Sequence, residues 1–290
     1  MFKKILLLTA AIVTSSFATW DYFGLLQNNS GSVKTGLYYD WDGDWSQMGL
    51  KVGARVNIVP QFELSFQSFG YQFWGEKECD DDDEKPECKT YEEGGKGLRD
   101  LVIGARYALD PELYLFLDFN LPIGKDKPTD KGRTPPSHHE MYIYAGAQHH
   151  RDIASIKGAS YGAEAGLFWG FKHHDRERGL ELRLGGEFDF TLPSAPVTLL
   201  VGGQFWFRLF ASEYDASAYG TGTKKDKEMH DDWSHQWKFW VGASVPLSDD
   251  ISIKGTIIAR SQDLKNKSYE PDIMMEGDAL GVTLEMEFKF

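Results

Sequence analysis

The 290-residue chain has only two cysteines, Cys79 and Cys88, which excludes a disulfide-dense scaffold. Prolines number 11 and no long polar low-complexity tract occurs, so most of the chain is expected to be ordered. Positive charge is in deficit: 31 Lys and Arg stand against 44 Asp and Glu, a formal net charge of −13. A nucleic-acid binder carries a basic face instead, so nucleic acid is not expected as a partner. Long apolar runs are missing too. Beyond position 19 no stretch reaches the roughly 18 apolar residues of a membrane helix. Aromatic residues, in contrast, are plentiful: 9 Trp, 13 Tyr and 19 Phe.

The one continuous apolar segment is at the start. Lys3 and Lys4 precede the run ILLLTAAIV at 5–13, and Ser16-Phe17-Ala18 puts small residues before a cut at Thr19. This is the pattern of a secretory signal peptide, and the apolar run is too short to span a bilayer. The expected organisation is a cleavable signal peptide over 1–18 and one domain over 19–290.

The rest of the chain reads with period two. At the end, Leu280, Val282, Leu284, Met286, Phe288 and Phe290 share one face, while Gly281, Thr283, Glu285, Glu287 and Lys289 share the other. A strand separates such sets and a helix scatters them. Similar runs fall at about 33–40, 46–59, 62–72, 98–109, 112–122, 139–149, 159–171, 180–191, 197–209, 235–247, 250–261 and 279–290. Most match the roughly 9–11 residues that a tilted membrane strand needs. The connections alternate as well: those near Pro60, Asp110-Pro111, Pro193–Pro196 and Ser248–Asp250 are short, the one at 150–158 is slightly longer, and those at 73–97, 123–138, 210–234 and 262–278 are long. Apolar residues outside, polar residues inside, and short turns on one side only describe a twelve-stranded antiparallel transmembrane β-barrel. An even strand number puts both termini on the short-turn, periplasmic side. Outward rings near strand ends, among them Tyr39, Tyr107, Trp169, Phe190, Trp237 and Phe288, suit an interfacial girdle.

The ending Val282-Thr283-Leu284-Glu285-Met286-Glu287-Phe288-Lys289-Phe290 resembles the C-terminal signal by which bacterial outer-membrane proteins are read for barrel assembly. With the signal peptide and strand count, the chain resembles a Gram-negative outer-membrane β-barrel protein of the porin or putative-transporter type. The resemblance implies residence in the bacterial outer membrane, contact with lipid and lipopolysaccharide, and delivery to the barrel-assembly machinery through the Phe290 segment. It implies no particular solute.

Alternation also sorts the charges. The inward set contains Lys34, Lys51, Arg55, Arg106, Arg183, Arg208, Lys238, Lys254, Arg260 and Lys289, and the acids include Asp40, Glu63, Asp100, Asp118, Glu140, Glu164, Glu181, Glu187, Asp189, Glu285 and Glu287. Lys51, Arg55, Arg106, Asp118, Arg183, Glu187, Arg208, Lys254, Glu285 and Glu287 are the expected selectivity residues. The wall is close to balance, so the negative charge resides in the long loops, of which 74–97 alone nets −6. A negative mouth concentrates cations, and the expected function is passive or weakly selective passage of small hydrophilic solutes with cation preference. The alternative is a closed structural or surface-interaction barrel whose acidic loops bind ions, lipopolysaccharide or a partner. Inward rings such as Tyr114, Phe116, Tyr144, Phe168, Trp206 and Trp240 face many inward glycines, which reads either as a solute path or as large-on-small packing.

Cys79 and Cys88 bracket an acidic run, and a chain passed to the periplasm meets oxidising conditions, so a Cys79–Cys88 disulfide is expected. Asp80, Asp81, Asp82 and Asp83 are carboxylates of the kind calcium takes, but they lack the spacing of a calcium loop. Histidines cluster at 138–139, 149–150 and 173–174; neighbours in a strand point to opposite faces, which spoils chelation. No nucleophile elbow occurs, so neither an enzyme nor a cofactor is expected. Peptide mapping without reduction should yield one cross-linked fragment holding Cys79 and Cys88; two separate thiol peptides would refute the bridge.

Overall fold

The computed structural model describes residues 24–26, 28–41, 45–77, 95–124, 136–137, 141–171, 176–177, 179–209, 213–214, 229–230, 235–263 and 279–290. Twelve long strands build the wall: β1 (Gly31–Trp41), β2 (Trp45–Val59), β3 (Phe62–Lys77), β4 (Leu101–Ala108), β5 (Leu113–Leu121) and β6 (Tyr142–Asp152). They continue with β7 (Ala159–Gly170), β8 (Gly179–Thr191), β9 (Thr198–Arg208), β10 (His235–Pro246), β11 (Ile251–Asp263) and β12 (Ala279–Lys289). Each strand pairs antiparallel with its sequence neighbour. The sheet closes because β1 also pairs β12, from Ser32 opposite Lys289 to Trp41 opposite Leu280. Gly31 and Phe290 exchange backbone hydrogen bonds of 2.8 and 2.9 Å at the lower end of that seam. The expected signal peptide lies outside the described residues.

The period-two pattern becomes an inside and an outside. Leu117, Leu167, Trp169, Val201, Val241 and Ile257 are all about half exposed, although they are large and apolar. An apolar belt of this extent on a closed sheet is a lipid-facing surface. Their sequence neighbours point inward and are buried: Phe116, Asp118, Phe168, Trp240 and Ile258. The short turns at 60–61, 109–112, 153–158, 192–197 and 247–250 share the end of the barrel where Gly31 and Phe290 lie, which is the arrangement expected of periplasmic turns. At the opposite end, Glu213–Tyr214 pairs with Met229–His230 and with Arg176–Glu177 in a small separate sheet.

Two departures from simple alternation matter. Strict alternation from Glu63 would place Phe69 and Tyr71 inside. Ser68 instead adopts a left-handed φ of 60°, and the pairing with β2 slips there. This bulge inserts one residue, so Phe69, Tyr71 and Phe73 face lipid while Gly70 and Gln72 face inward. The run expected at 98–109 begins only at Leu101, because Arg99 and Asp100 lie in a break between the short pair Gly97–Leu98 and β4. Asp100 accepts hydrogen bonds from Ser137 Oγ (2.6 Å) and the Gly124 amide (2.9 Å), so it ties down the chain beyond β5. The strand expected at 139–149 runs from Tyr142 to Asp152, which shortens the following turn to 153–158.

The lipid face sets a test. Leu117→Arg puts a charge at mid-wall against hydrocarbon and should destabilise the barrel by about 2–4 kcal/mol. Urea unfolding in lipid vesicles measures this, and an unchanged midpoint would contradict the assignment of the outer face.

Candidate functional site

Twelve strands spaced about 4.8 Å apart and tilted by about 40° enclose a circle of roughly 12 Å radius. That leaves room for two layers of side chains before the axis is reached. The first layer is made of rings laid flat on the wall. A Cβ at Gly202 would stand 2.3 Å from the Trp240 ring, and one at Gly166 would stand 2.7 Å from Tyr144 and 2.9 Å from Phe116. The facing of rings and glycines seen in the sequence is therefore packing at these positions: the small residue is where the ring lies.

The second layer is made of cations over those rings. The Arg183 guanidinium carbon is 3.7 Å from the Phe168 centroid and 4.3 Å from that of Trp206. Lys238 Nζ lies 5.1 Å from Trp240, and Arg99 lies 4.8 Å from Tyr38. Such stacking favours a cation and holds its stem rigid. Carboxylates bind the same groups from the side. Glu181 accepts from Arg183 Nη2 at 2.6 Å and from Arg208 Nη2 at 3.3 Å, so one anion holds two guanidinium groups. Arg260 pairs with Asp40 at 3.2 Å, and Gln47 donates to the same carboxylate at 3.1 Å.

Height along the wall organises the charges. On the outer third, β8 to β11 carry Arg183, Arg208, Lys238 and Arg260, and Arg99 joins them from the break before β4. Lys238 and Arg260 stand opposite each other in register. These cations meet the carboxylates of Asp40 and Glu181, with Asp100 beside Arg99 in the break. Below it the sign reverses. Asp118, Glu164 and Glu187 occupy the middle, with Glu164 accepting from Tyr144 Oη, Gln148 Nε2 (2.6 Å) and Gln204 Nε2 (3.3 Å). Glu187 accepts from the Trp240 indole N–H and pairs with Lys254 at 3.8 Å.

The lower, periplasmic third opens into a cavity of about 410 Å³. One face of it, from β11, β12, β1 and β2, supplies Lys254, Lys289, Lys34 and Arg55 with Glu285 and Glu287. The other face, from β7 to β10, supplies Asp189 and the hydroxyls of Ser160, Thr191, Thr198 and Ser244. Elsewhere at this end, Arg55 pairs with Glu63 at 3.6 Å, and the Leu26 amide donates to the other Glu63 oxygen at 2.9 Å. Gly24 lies so close to Tyr114 that a Cβ would come within 2.9 Å of its hydroxyl. The chain before β1 thus folds back into the mouth.

The expected selectivity residues all project inward, but they do not form one filter. Arg183 and Arg208 meet at Glu181 in the upper level. Lys51 lies over Tyr38, its Nζ 5.5 Å from the ring centroid. Asp118 and Glu187 are at the middle. Arg55, Arg106, Lys254, Glu285 and Glu287 are in the lower part of the wall. Arg99 was missed because alternation over the expected run 98–109 puts it on the face opposite Asp100 and Arg106; only its burial at 2 % exposure and its reach to Tyr38 Oη mark it. Cys79, Cys88, Asp80, Asp81, Asp82 and Asp83 lie outside the described residues. Among the described residues, no group of three or more His, Cys, Asp or Glu is placed to hold a metal ion.

Glu181 is the joint of the upper level. Replacing it with Gln leaves two guanidinium groups short of their shared anion and should destabilise the fold by roughly 3 kcal/mol. Equilibrium unfolding of E181Q against the parent measures this; a loss below about 1 kcal/mol would mean that rings alone hold Arg183 and Arg208.

No protein-family profile matches the sequence, and no curated protein matches it. Solved structures do match in fold. The COG4313 outer membrane channel from Pseudomonas putida F1 superposes with a TM-score of 0.62 at 11% identity, covering 95% of this chain and 100% of that one. The KdgM porin (TM-score 0.43, 9% identity, 89% and 99% coverage) and LpxR from Salmonella typhimurium (0.46, 10%, 89% and 99%) are more distant. A closed twelve-stranded sheet, an apolar exterior, a charged interior and short turns confined to one end are properties of a single class of protein. The chain has the fold of a bacterial outer-membrane β-barrel, closed by twelve strands as in the channel that it superposes on.

Proposed function

We propose that this barrel is a passive channel for small hydrophilic solutes, without enzymatic activity, and that its acidic outer loops give it a preference for cations. The observation that supports passage is the interior itself. A barrel that only had to stand in the membrane could be filled with apolar side chains, at no desolvation penalty for buried charge. This one lines its height with ionisable and amide groups and widens into a polar cavity at the periplasmic end.

Cation preference rests on the loops, whose net charge raises local cation concentration at the mouth. The upper wall works against it, since Arg99, Arg183, Arg208, Lys238 and Arg260 outnumber their carboxylates there. The reading is that the mouth gathers cations and the upper level slows them, so conductance is small.

A second reading is supported by burial. Arg99, Gln47, Tyr38 and Phe168 at the upper level are each 2 % exposed or less, as in a packed core. On that reading the barrel is a closed scaffold that presents its acidic loops to ions, lipopolysaccharide or a partner. Deleting 76–93 separates the two, because a binding role disappears with the loop and a channel persists with altered selectivity.

Single-channel recording in planar bilayers under a salt gradient is the direct test. The channel reading predicts stable small steps with a cation-selective reversal potential. Arg183→Ala removes the group stacked between Phe168 and Trp206; it should raise conductance roughly two-fold and move the reversal potential further toward the cation limit. Silence from protein verified as folded, in both parent and R183A, would establish the closed scaffold.

A further inference from the structure

The lower cavity is sided. Lys254, Lys289, Lys34 and Arg55 all come from the arc β11–β12–β1–β2, with Glu285 and Glu287 among them. The adjoining arc, β7 to β10, contributes no cation to the lining among the described residues; it offers Asp189 and a row of hydroxyls. Summed over the cavity, four cations meet three carboxylates. A site built for an anion would carry a clear positive excess, and a site for a cation the reverse. With Glu285 and Glu287 among the four cations, the β11–β2 arc still nets two positive charges while the β7–β10 arc carries Asp189, and this difference sets a field across the cavity that acts on a dipole.

We propose that this cavity binds zwitterionic solutes of amino-acid to dipeptide size, the carboxylate toward Lys254 and Lys34 and the ammonium toward Asp189. The volume of about 410 Å³ is in the range of small-molecule sites, and a dipeptide fits within it with water to spare. The Ser160, Thr191, Thr198 and Ser244 hydroxyls serve an ammonium as acceptors and a peptide group as donors. Among the described residues no aromatic side chain lines the cavity, which gives a sugar ring or nucleobase no stacking platform there. Lys34 lies 3.9 Å from Glu285, and Lys254 lies 3.8 Å from Glu187, so a bound carboxylate would share each lysine with a wall carboxylate. A zwitterion also crosses the succession of negative mouth, positive upper level and negative middle with less opposition than either simple ion, since each level attracts one of its ends. The inference deepens the channel reading by naming a class of solute, but binding is measurable without conduction.

The test uses glycyl-serine and two relatives that each lack one charge: its N-acetyl form, an anion, and its C-terminal amide, a cation. Calorimetric titration of the folded protein in detergent should give millimolar binding of glycyl-serine and about tenfold weaker binding of both relatives. Asp189→Asn should abolish the advantage over the N-acetyl form, and Lys254→Gln the advantage over the amide, in protein whose gel mobility verifies the fold. Equal binding of all three peptides, or no binding of any, overturns the proposal; if conductance is then still seen, the channel reading survives it. Selective binding by a protein that conducts no current upholds the site and removes the channel reading. Because the peptide series needs no mutation, a misfolded variant leaves the test intact.

Discussion

The constraint on which everything else depends is that hydrocarbon offers no replacement for a lost backbone hydrogen bond. A sheet in lipid must therefore have no edge. The β1–β12 seam supplies that condition through a register running the full length of β1, finished by the Gly31–Phe290 pair. Once the sheet is closed, side-chain alternation has only one interpretation. Leu117 must meet lipid because Asp118 cannot, and the charged residues are brought to a common interior although they lie far apart in the chain.

Inside, burial of charges such as Arg183 and Glu164 is tolerable because each of these two is supported more than once. Arg183 is stacked on Phe168 and Trp206 and fixed by Glu181; Glu164 is held by a tyrosine hydroxyl and two amides. Rings seated on glycines make this possible by keeping the first layer thin. The levels of alternating sign follow from this economy of space, since cations take the faces of rings and carboxylates take the amides and indole N–H groups beside them.

The strand order, the side of the short turns and the inward charges were legible in the sequence because lipid enforces period two without exception along regular strands. What was not legible came from breaks in that regularity. Ser68 reverses the facing of Phe69 and Tyr71, a change written in one backbone angle rather than in residue type. Arg99 is buried because β4 starts late, and nothing in its neighbours in sequence says so. The pairing of Lys254 with Glu187, and of Arg183 and Arg208 with one Glu181, depends on which strands are spatial neighbours at a given height, and the tilt of the sheet sets that height. The re-entry of residues 24–26 beside Glu63 and Tyr114 belongs to an irregular segment, for which periodicity has no reading.

The closing seam also governs the order of assembly. Eleven of the twelve strand pairings join chain neighbours and can form as hairpins while the rest of the chain is still unstructured. The twelfth joins Ser32 to Lys289, so its loop-closure entropy is that of nearly the whole chain. Until it forms, β1 and β12 each present a bare row of donors and acceptors, which are templates for pairing with another chain. Release into the bilayer as a finished particle therefore hinges on a last, long-range ring closure, and a barrel caught before it is an aggregation nucleus rather than a leaky pore.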